Sequence, residues 1–465
     1  MSQSSRVVII GDGPGGYEGA LVARQLGADV TLVSAGQIGG SAVLTDCVPS
    51  KTLIATSEAI DQAAASGYLG VRIDGRPADR SAFSVDLATV NERILELAHA
   101  QSAGIRQHLE QAGVEIVHGR GTLTSEATIE VTNDDASWDV AADTILFATG
   151  ARPRVLAEAT PDGERILSWE QIYQLDELPE HLIVVGSGVT GAEFASAFHA
   201  LGSTVTLVSS RDRVLPGEDV DAAGVLEDVF TRRGLNVRSR SRAVAARRVD
   251  DSVIVTLDDS STLQGSHVLM AVGSLPNTDD LGLESAGVST DSRGFITVDR
   301  VSRTSARHIY AAGDCTGVNM LASVAAMQGR IAMYHALGDA VAPLESTAIS
   351  STIFTEPEIA TVGLQQADLD SGSFRGTTVL LPLRTNARAK MHGHHDGFVK
   401  LFARKGSQIV AGGVVVAPNA SELIHSITLA VDNRLTVDQL AQAFTVYPSL
   451  SGSVAEAARR MHATQ

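Results

Sequence analysis

Short apolar runs recur along most of the chain, and each is followed by glycine or by polar residues. They cover residues 6–10, 30–33, 144–147, 182–185 and 205–208. Runs this short and this apolar predict strands that are buried on both faces, as in a parallel sheet. Residues 84–113 instead repeat their apolar positions at helical spacing, which predicts an amphipathic helix. The alternation of predicted strands with helical segments predicts an α/β fold.

The pattern changes after Ser350, where runs rich in valine, isoleucine and threonine replace the alternation. The predicted strands are 352–354, 378–381, 397–402 and 409–416, and the predicted helices are 420–431 and 437–443. This order predicts a separate C-terminal α+β domain. A length of 465 residues is enough for two to four domains, each with its own core.

Two of the apolar runs end in the same glycine spacing. Gly11, Gly13 and Gly16 follow the first run, and Gly186, Gly188 and Gly191 follow the run at 182–185. Glycines at this spacing allow a tight turn, while the helix that follows directs its N-terminus at a pyrophosphate. Two copies of the pattern predict two bound dinucleotides.

Charge and composition exclude several functions. The net charge of -18 would repel a nucleic-acid backbone, and no apolar run reaches the length that spans a bilayer. The two cysteines, Cys47 and Cys315, do not make a disulfide framework, so we expect a cytoplasmic protein with no membrane segment. His392, His394 and His395 fall in one loop of glycine and aspartate, which favours solvated side chains, and no metal site is predicted.

The segment 39–51 carries the most specific signal. It reads G-G-S-A-V-L-T-D-C-V-P-S-K, and it closely resembles the redox segment of the flavoprotein disulfide reductases, the family of dihydrolipoamide dehydrogenase, glutathione reductase and mycothione reductase. In that family two cysteines, separated by four residues, exchange electrons as a dithiol and a disulfide beside the flavin. Here Cys47 holds the second position and Ala42 the first, so this pair cannot form a disulfide.

The resemblance covers nearly the whole chain and implies a domain order. Residues 1–154 and 277–348 would form the FAD-binding domain and 155–276 the NAD(P)-binding domain. Residues 349–465 would form the interface domain of a homodimer. The implied fold is α/β, with two Rossmann-like dinucleotide-binding domains and a C-terminal α+β dimerisation domain.

The resemblance also implies roles for individual residues. Lys51 would lie at the reactive edge of the flavin and pair with Glu193, and Asp314 would accept from the ribityl hydroxyls of FAD. Further predicted contacts to FAD and at the domain crossover are Gly11, Gly13, Pro14, Gly15, Gly16, Ser34, Gly39, Gly40, Gly119, Ala148, Thr149, Gly150, Gly273, Gly313, Leu321 and Ala322. Predicted contacts to the pyridine nucleotide are Gly186, Gly188, Val189, Gly191, Glu193, Ser209, Ser210 and Arg211.

The sequence departs from the family at both ribose positions. Ser34 stands where the family ends its second strand with an acid that holds the adenosine ribose, so that contact must be weaker or supplied by a neighbour. After residues 205–208, Ser209, Ser210 and Arg211 replace the acid of an NAD-selective module. Without a carboxylate to repel a 2′-phosphate, and with a guanidinium to bind it, the sequence favours NADPH with NADH tolerated.

The last departure lies at residues 447–452. The family reads H-P-T-x-S-E there, with a histidine as acid–base for the thiol, whereas this chain has Tyr447 and Gly452. This departure and the one at Ala42 fall on the same thiol reaction, which argues against chance loss. A family frame with Ala42, Tyr447 and Gly452 most resembles the dihydrolipoamide-dehydrogenase-like NAD(P)H:quinone reductases of actinobacteria. That resemblance implies hydride transfer from NAD(P)H to FAD and electron transfer from reduced FAD to a quinone. We hypothesise in addition that Tyr447 donates a hydrogen bond or a proton to a quinone oxygen.

Two alternatives stay open. Cys47 could act alone as a single-cysteine thiol, disulfide or peroxide reductase. The chain could also be a non-catalytic, redox-responsive binding protein, although Lys51 and Glu193 at the implied hydride site argue against that.

Overall fold

The computed structural model describes residues 4–462, and the chain divides into two compact units. The first unit holds the described residues up to Thr52, together with Asn91–Arg154 and Gly273–Glu345. The second holds Leu53–Val90, Val155–Val272 and the described residues from Ser346 onward. The assignment of three functional domains with boundaries at 154, 276 and 348 stays a prediction.

The first unit is built on a parallel sheet of five strands. Their spatial order is Ile309–Ala311, Thr144–Phe147, Arg6–Ile10, Asp29–Ser34 and Glu115–His118. The apolar runs at 6–10, 30–33 and 144–147 are thereby confirmed as parallel strands. Strand order reverses beside Arg6–Ile10, and ligands of open α/β sheets bind at such a point, outside the carboxyl ends of the strands.

Helices and smaller sheets complete the first unit. Its helices are Pro14–Gln25, Gly40–Leu44 and Ala322–Ala336. An antiparallel sheet contains Arg120–Ser125, Thr128–Thr132 and Ser137–Ala141, and a two-stranded ribbon pairs Ala151–Pro153 with Ser274–Pro276. The helices Cys47–Ala65 and Leu87–Gln111 each contain a boundary between the two units. The amphipathic helix predicted at 84–113 is therefore confirmed, with a later start and an earlier end.

The second unit contains another parallel sheet of five strands. Their order is Ile166–Ser168, His267–Met270, His181–Val185, Thr204–Val208 and Asn236–Arg238. The helices Val189–Leu201 and Val220–Arg233 belong to this part, as does an antiparallel sheet of Ala243–Val249, Ser252–Leu257 and Thr262–Gly265. The repeated strand–glycine–helix pattern thus corresponds to a repeated structure.

The C-terminal part of the second unit is an antiparallel sheet covered by helices. The strand order is Ser350–Ile353, Glu358–Gly363, Val410–Ala417, Phe398–Arg404 and Gly376–Pro382. The helices are Gln366–Asp370, Ala387–His392, Ala420–Asp432, Val437–Gln442 and Gly452–His462. Every predicted strand and helix of this region is confirmed within a few residues. The strand Glu358–Gly363 and the helices Gln366–Asp370, Ala387–His392 and Gly452–His462 were not predicted as elements.

The remaining elements are short. A hairpin pairs Arg72–Ile73 with Arg76–Pro77. Single 3₁₀ turns occur at Arg80–Ala82, Ile172–Gln174, Glu284–Ala286, Asp314–Thr316, Ser346–Ala348 and Leu383–Thr385.

A buried ion cluster lies within the second unit. The Lys400 side chain is only 2% exposed, and its Nζ lies 2.9 Å from Asp219 Oδ2 and 2.8 Å from Asp221 Oδ2. Asp219 also caps the helix Val220–Arg233, because its carboxylate accepts from the backbone N–H groups of Asp221 and Ala222. The ammonium therefore compensates a carboxylate that water cannot reach.

We expect Lys400→Met to lower the free energy of unfolding by about 3–5 kcal/mol, because it leaves the buried Asp219 carboxylate uncompensated. Lys405→Met is the control, because Lys405 is exposed and directly follows Phe398–Arg404, the strand that contains Lys400. It should change the free energy of unfolding by less than about 0.5 kcal/mol. Urea denaturation of both variants and the wild type measures the difference. Equal midpoints for Lys400→Met and the wild type would contradict a compensating role.

Candidate functional site

The first glycine loop joins the first strand to the helix that begins at Pro14. Gly11 has a φ of +106°, and a Cβ there would lie 2.2 Å from the carbonyl oxygen of Ala148. A Cβ at Gly16 would lie 2.0 Å from the carbonyl oxygen of Gly11. At Gly13 the space is open, since a Cβ would have one neighbour at 4.0 Å. This arrangement leaves room for a pyrophosphate at the N-terminus of the helix.

The carboxyl group of Asp314 lies just after the strand Ile309–Ala311, in the same parallel sheet as Arg6–Ile10. Asp314 begins a single 3₁₀ turn, and no donor among residues 4–462 forms a hydrogen bond with its side chain. Burial and the nearby charge of Asp46 raise the pKa of Asp314 to about 6. A buried acceptor of this kind fits a hydroxyl donor from a ligand, as the ribityl chain of FAD provides.

The loop that carries Asp314 is held by a residue that sequence reasoning missed. Gln328 is 1% exposed, its side-chain oxygen accepts from the Gly313 N–H at 2.8 Å, and its amide donates to Thr316 Oγ1 at 3.4 Å. The helix Ala322–Ala336, which contains Gln328, has Leu321 as its N-cap residue. In the sequence, the signal that could have identified Gln328 is a polar residue within a largely apolar helical segment.

The redox segment forms two helices separated by a turn. Gly39, with a φ of +118°, precedes the short helix that contains Ala42. Cys47 is the first residue of the helix Cys47–Ala65 and is half-buried. Lys51 follows one turn later, so the two side chains lie on the same helical face.

The second cysteine is far less accessible. Cys315 is fully buried, and its thiol donates to the backbone carbonyl of Ala312 at 3.3 Å. Burial raises the pKa of Cys315 to about 11, so the thiol stays protonated at neutral pH. Neither cysteine forms a disulfide.

Ser34 is 1% exposed, and its hydroxyl donates to the carboxylate of Asp12. Gly119, another predicted FAD contact, follows the strand Glu115–His118. Thr149, also a predicted contact, donates its hydroxyl to the Asn277 carbonyl, and its own carbonyl accepts from the Asn277 side-chain amide. Every residue that was predicted to contact FAD lies in the first unit, and so does Gly273.

The second glycine loop reproduces the geometry of the first. Gly186 has a φ of +112°, and a Cβ there would lie 2.1 Å from the Ala271 carbonyl oxygen. A Cβ at Gly191 would lie 1.8 Å from the carbonyl oxygen of Gly186, whereas a Cβ at Gly188 would meet no atom within 4 Å. The open space again lies where a helix begins, at Val189. A second pyrophosphate therefore fits here.

Glu193 lies inside this second unit and is not an exposed helix acid. Its side chain is 4% exposed, and Oε1 accepts from the Phe354 N–H at 2.9 Å. One turn later, Ser196 Oγ accepts from the Glu356 N–H at 3.3 Å. These bonds fix the helix to the segment 354–356. Lys51 belongs to the first unit, so its pairing with Glu193 stays a prediction.

The strand Thr204–Val208 ends at a buried hydroxyl. Ser209 is 0% exposed, its Oγ lies 2.7 Å from Ser187 Oγ, and it accepts from the Arg211 N–H at 3.1 Å. Ser210 and Arg211 are exposed. Ser209 therefore organises the turn, while its two neighbours are accessible to a ligand.

Tyr447 lies at the surface of the single chain. It is 85% exposed, and Phe444 and Val446 beside it are also exposed. Gly452 begins the last helix of the described chain. The single chain therefore leaves an apolar segment uncovered at 444–447.

Family models match most of the chain. Residues 5–329 match the pyridine nucleotide-disulphide oxidoreductase model, and residues 349–458 match the dimerisation domain of the same family. The chain belongs to the pyridine nucleotide-disulphide oxidoreductase family. The resemblance, the α/β fold class and the presence of a dimerisation domain are thereby confirmed.

Relatives and solved structures agree with the family. The chain is 52% identical to an NAD(P)H dehydrogenase (quinone) of Mycobacterium tuberculosis H37Rv, over 99% of this chain and 94% of the relative. It is 32% identical to a dihydrolipoyl dehydrogenase of Haloferax volcanii, over 98% and 96% of the two chains. The crystal structure of M. tuberculosis LpdA matches with a TM-score of 0.93 and 51% identity, covering 98% of this chain and 99% of LpdA.

Enzymes of this oxidoreductase family use FAD and NAD(P)H, and these are the cofactors of this chain. The two open glycine loops and the Asp314 carboxyl fit them. Among residues 4–462, no cluster of three metal-ligating side chains forms, and His392 and His394 stack at 5.7 Å. No helix in the same range is long and apolar enough to cross a bilayer.

We expect Ser209→Glu to shift the preference toward NADH, because a carboxylate there would accept from the 2′-hydroxyl and repel a 2′-phosphate. The ratio of kcat/KM for NADPH to that for NADH should fall about tenfold or more. Thr204→Glu, which adds the same charge at the opposite end of the same strand, is the control and should leave the ratio unchanged. An unchanged ratio in Ser209→Glu would show that this position does not read the ribose.

Proposed function

We propose that this chain is an NAD(P)H dehydrogenase that delivers electrons from reduced flavin directly to a quinone-type acceptor, without a redox-active dithiol. The observation that carries the proposal is the alanine at position 42, where the family has the first cysteine of its redox pair. Ala42 holds the position of the expected partner, and the only other cysteine, Cys315, is fully buried. The 52% identical relatives in M. tuberculosis are named NAD(P)H dehydrogenase (quinone), which supports the same acceptor.

Thiol–disulfide exchange needs conditions that this chain does not meet. The reactive species is a thiolate, and without an added thiol its oxidised form has to be resolved by a second cysteine beside it. Cys315, with a pKa raised to about 11 by burial, is a poor thiolate source. Bound FAD supplies the remaining chemistry, accepting hydride from NAD(P)H and passing electrons to the acceptor.

We assign the charged residues of the site to binding and orientation. Lys51, on the first turn of its helix, would stabilise negative charge on the reduced isoalloxazine. Glu193 would orient Lys51, and its bond from the Phe354 N–H fixes its carboxylate. Gly11, Gly13 and Gly16 would hold the FAD pyrophosphate, and Asp314 the ribityl hydroxyls.

We further propose the domain roles and the assembly that the resemblance implies. Residues 1–154 and 277–348 bind FAD, 155–276 bind NAD(P), and 349–465 form the interface of a homodimer. The exposed segment 444–447 supports this assembly, because a second subunit would cover its apolar side chains. The enzyme would work in the cytoplasm, where NAD(P)H is supplied. The Tyr447 hydroxyl would then donate a proton to the quinone oxygen in the partner's site.

The first test compares two acceptors in the full-length enzyme. NADPH consumption is measured with menadione and with oxidised lipoamide, in the wild type and in Cys47→Ser. We expect the menadione turnover of Cys47→Ser to lie within about twofold of the wild-type value, because electrons leave the flavin directly. Neither protein should turn over oxidised lipoamide. Loss of menadione turnover in Cys47→Ser, or disulfide turnover in the wild type, would establish the single-thiol mechanism instead. Negligible turnover with every acceptor would favour a binding protein.

The second test concerns the proton donor. We expect Tyr447→Phe to lower kcat/KM for menadione by about 100-fold, the lower end of general-acid contributions. Ferricyanide accepts electrons without a proton, so its reduction by NADPH serves as the control and should not change. Unchanged menadione turnover in Tyr447→Phe would exclude the hydroxyl as donor.

A further inference from the structure

The carboxyl end of the strand Asp29–Ser34 carries an unusual pair of side chains. An acid at this position in a dinucleotide-binding fold accepts hydrogen bonds from a ribose. Here the position holds Ser34, which is 1% exposed and therefore cannot reach a ligand outside the sheet. Its hydroxyl donates to Asp12 Oδ2 and lies 3.0 Å from the Gly36 carbonyl oxygen.

The backbone places Asp12 beside Ser34. The first two strands are parallel neighbours in which Ile10 pairs with Val33, and the Gly11 N–H donates to the Val33 carbonyl at 2.9 Å. Position 12 therefore lies next to position 34 where both strands end. The Asp12 carbonyl also accepts from the Gly39 N–H at 3.1 Å, which fixes the residue from its other side.

Asp12 differs from Ser34 in being accessible. Its side chain is half-buried, and no lysine or arginine in the described range forms an ion pair with it. Burial raises the pKa of Asp12, whereas hydrogen bonds from Ser34 and from the backbone of residues 39 and 40 oppose that shift. An ionised carboxylate has about four acceptor sites, and Ser34 with the two backbone groups occupies at most three, so capacity remains for a ribose hydroxyl.

We propose that Asp12 supplies the carboxylate that binds the adenosine ribose hydroxyls of FAD, and that Ser34 is the positioning residue that holds it there. A carboxylate in the glycine loop would otherwise repel the pyrophosphate of FAD. The hydrogen bond from Ser34 draws it toward the end of the second strand, where a ribose acid belongs. The proposal rests on FAD as the cofactor and does not depend on a quinone as the acceptor.

The test measures flavin binding by the full-length chain after removal and re-addition of flavin, with circular dichroism as the check on folding. FAD and FMN are titrated by flavin fluorescence into the wild type and Asp12→Asn, an isosteric change. We expect the dissociation constant of FAD to rise about tenfold or more, because a charge-assisted hydrogen bond to the ribose is lost. The FMN constant should not change, since FMN has no adenosine.

Asp29→Asn is the matched control, because it makes the same substitution at the exposed, opposite end of the strand Asp29–Ser34. It should leave both dissociation constants unchanged. An unchanged FAD constant in Asp12→Asn, or an equal loss for FAD and FMN, would overturn the proposal. Because no electron acceptor is present, this result is independent of the quinone assay.

Moving the carboxylate provides a second measurement. In the variant Asp12→Gly the FAD affinity should fall as in Asp12→Asn. Adding Ser34→Glu should recover most of it, since the acid then stands at the end of the second strand itself. If the double variant binds FAD no better than Asp12→Gly alone, the ribose does not use a carboxylate at this edge, and the proposal fails.

Discussion

The architecture depends on two places where backbone meets backbone too closely for a side chain. At Gly11 and Gly186 an added Cβ would fall about 2 Å from a carbonyl oxygen of a neighbouring strand end, at Ala148 and Ala271. Both glycines also adopt a positive φ that other residues rarely accept. These contacts aim the N-terminus of each following helix at the carboxyl edge of its sheet. Each unit thereby gains a site for a pyrophosphate.

On this scaffold the chain keeps the two glycine loops of the family and departs at both ribose positions and at the thiol. The half-buried Cys47 keeps its position at the start of a helix, and Lys51 follows on the same face. The buried Cys315 donates its proton to a backbone carbonyl and has a raised pKa, so it behaves as a core residue. The absent thiol at position 42 and the absent histidine at 447 concern one reaction, and a flavin that delivers electrons directly needs neither.

Much of the fold could be predicted because its signals are local. The parallel strands are short apolar runs, and the C-terminal strands and helices follow residue types and spacing. Weaker local signals were missed. Strands such as Arg120–Ser125 mix buried and exposed positions with glycine, and the helix Gly452–His462 follows a segment that was interpreted only through its resemblance to a catalytic motif.

The sequence by itself determined the two dinucleotide modules, the family and the missing dithiol, because residue type and spacing along the chain are enough for each. Only the tertiary structure decided how distant residues meet. It buries Glu193 against the backbone of Phe354 and places Lys400 between Asp219 and Asp221. It also brings Asp12 to Ser34 across two parallel strands. Such contacts depend on strand register and burial, and neither is encoded by any one stretch of the sequence.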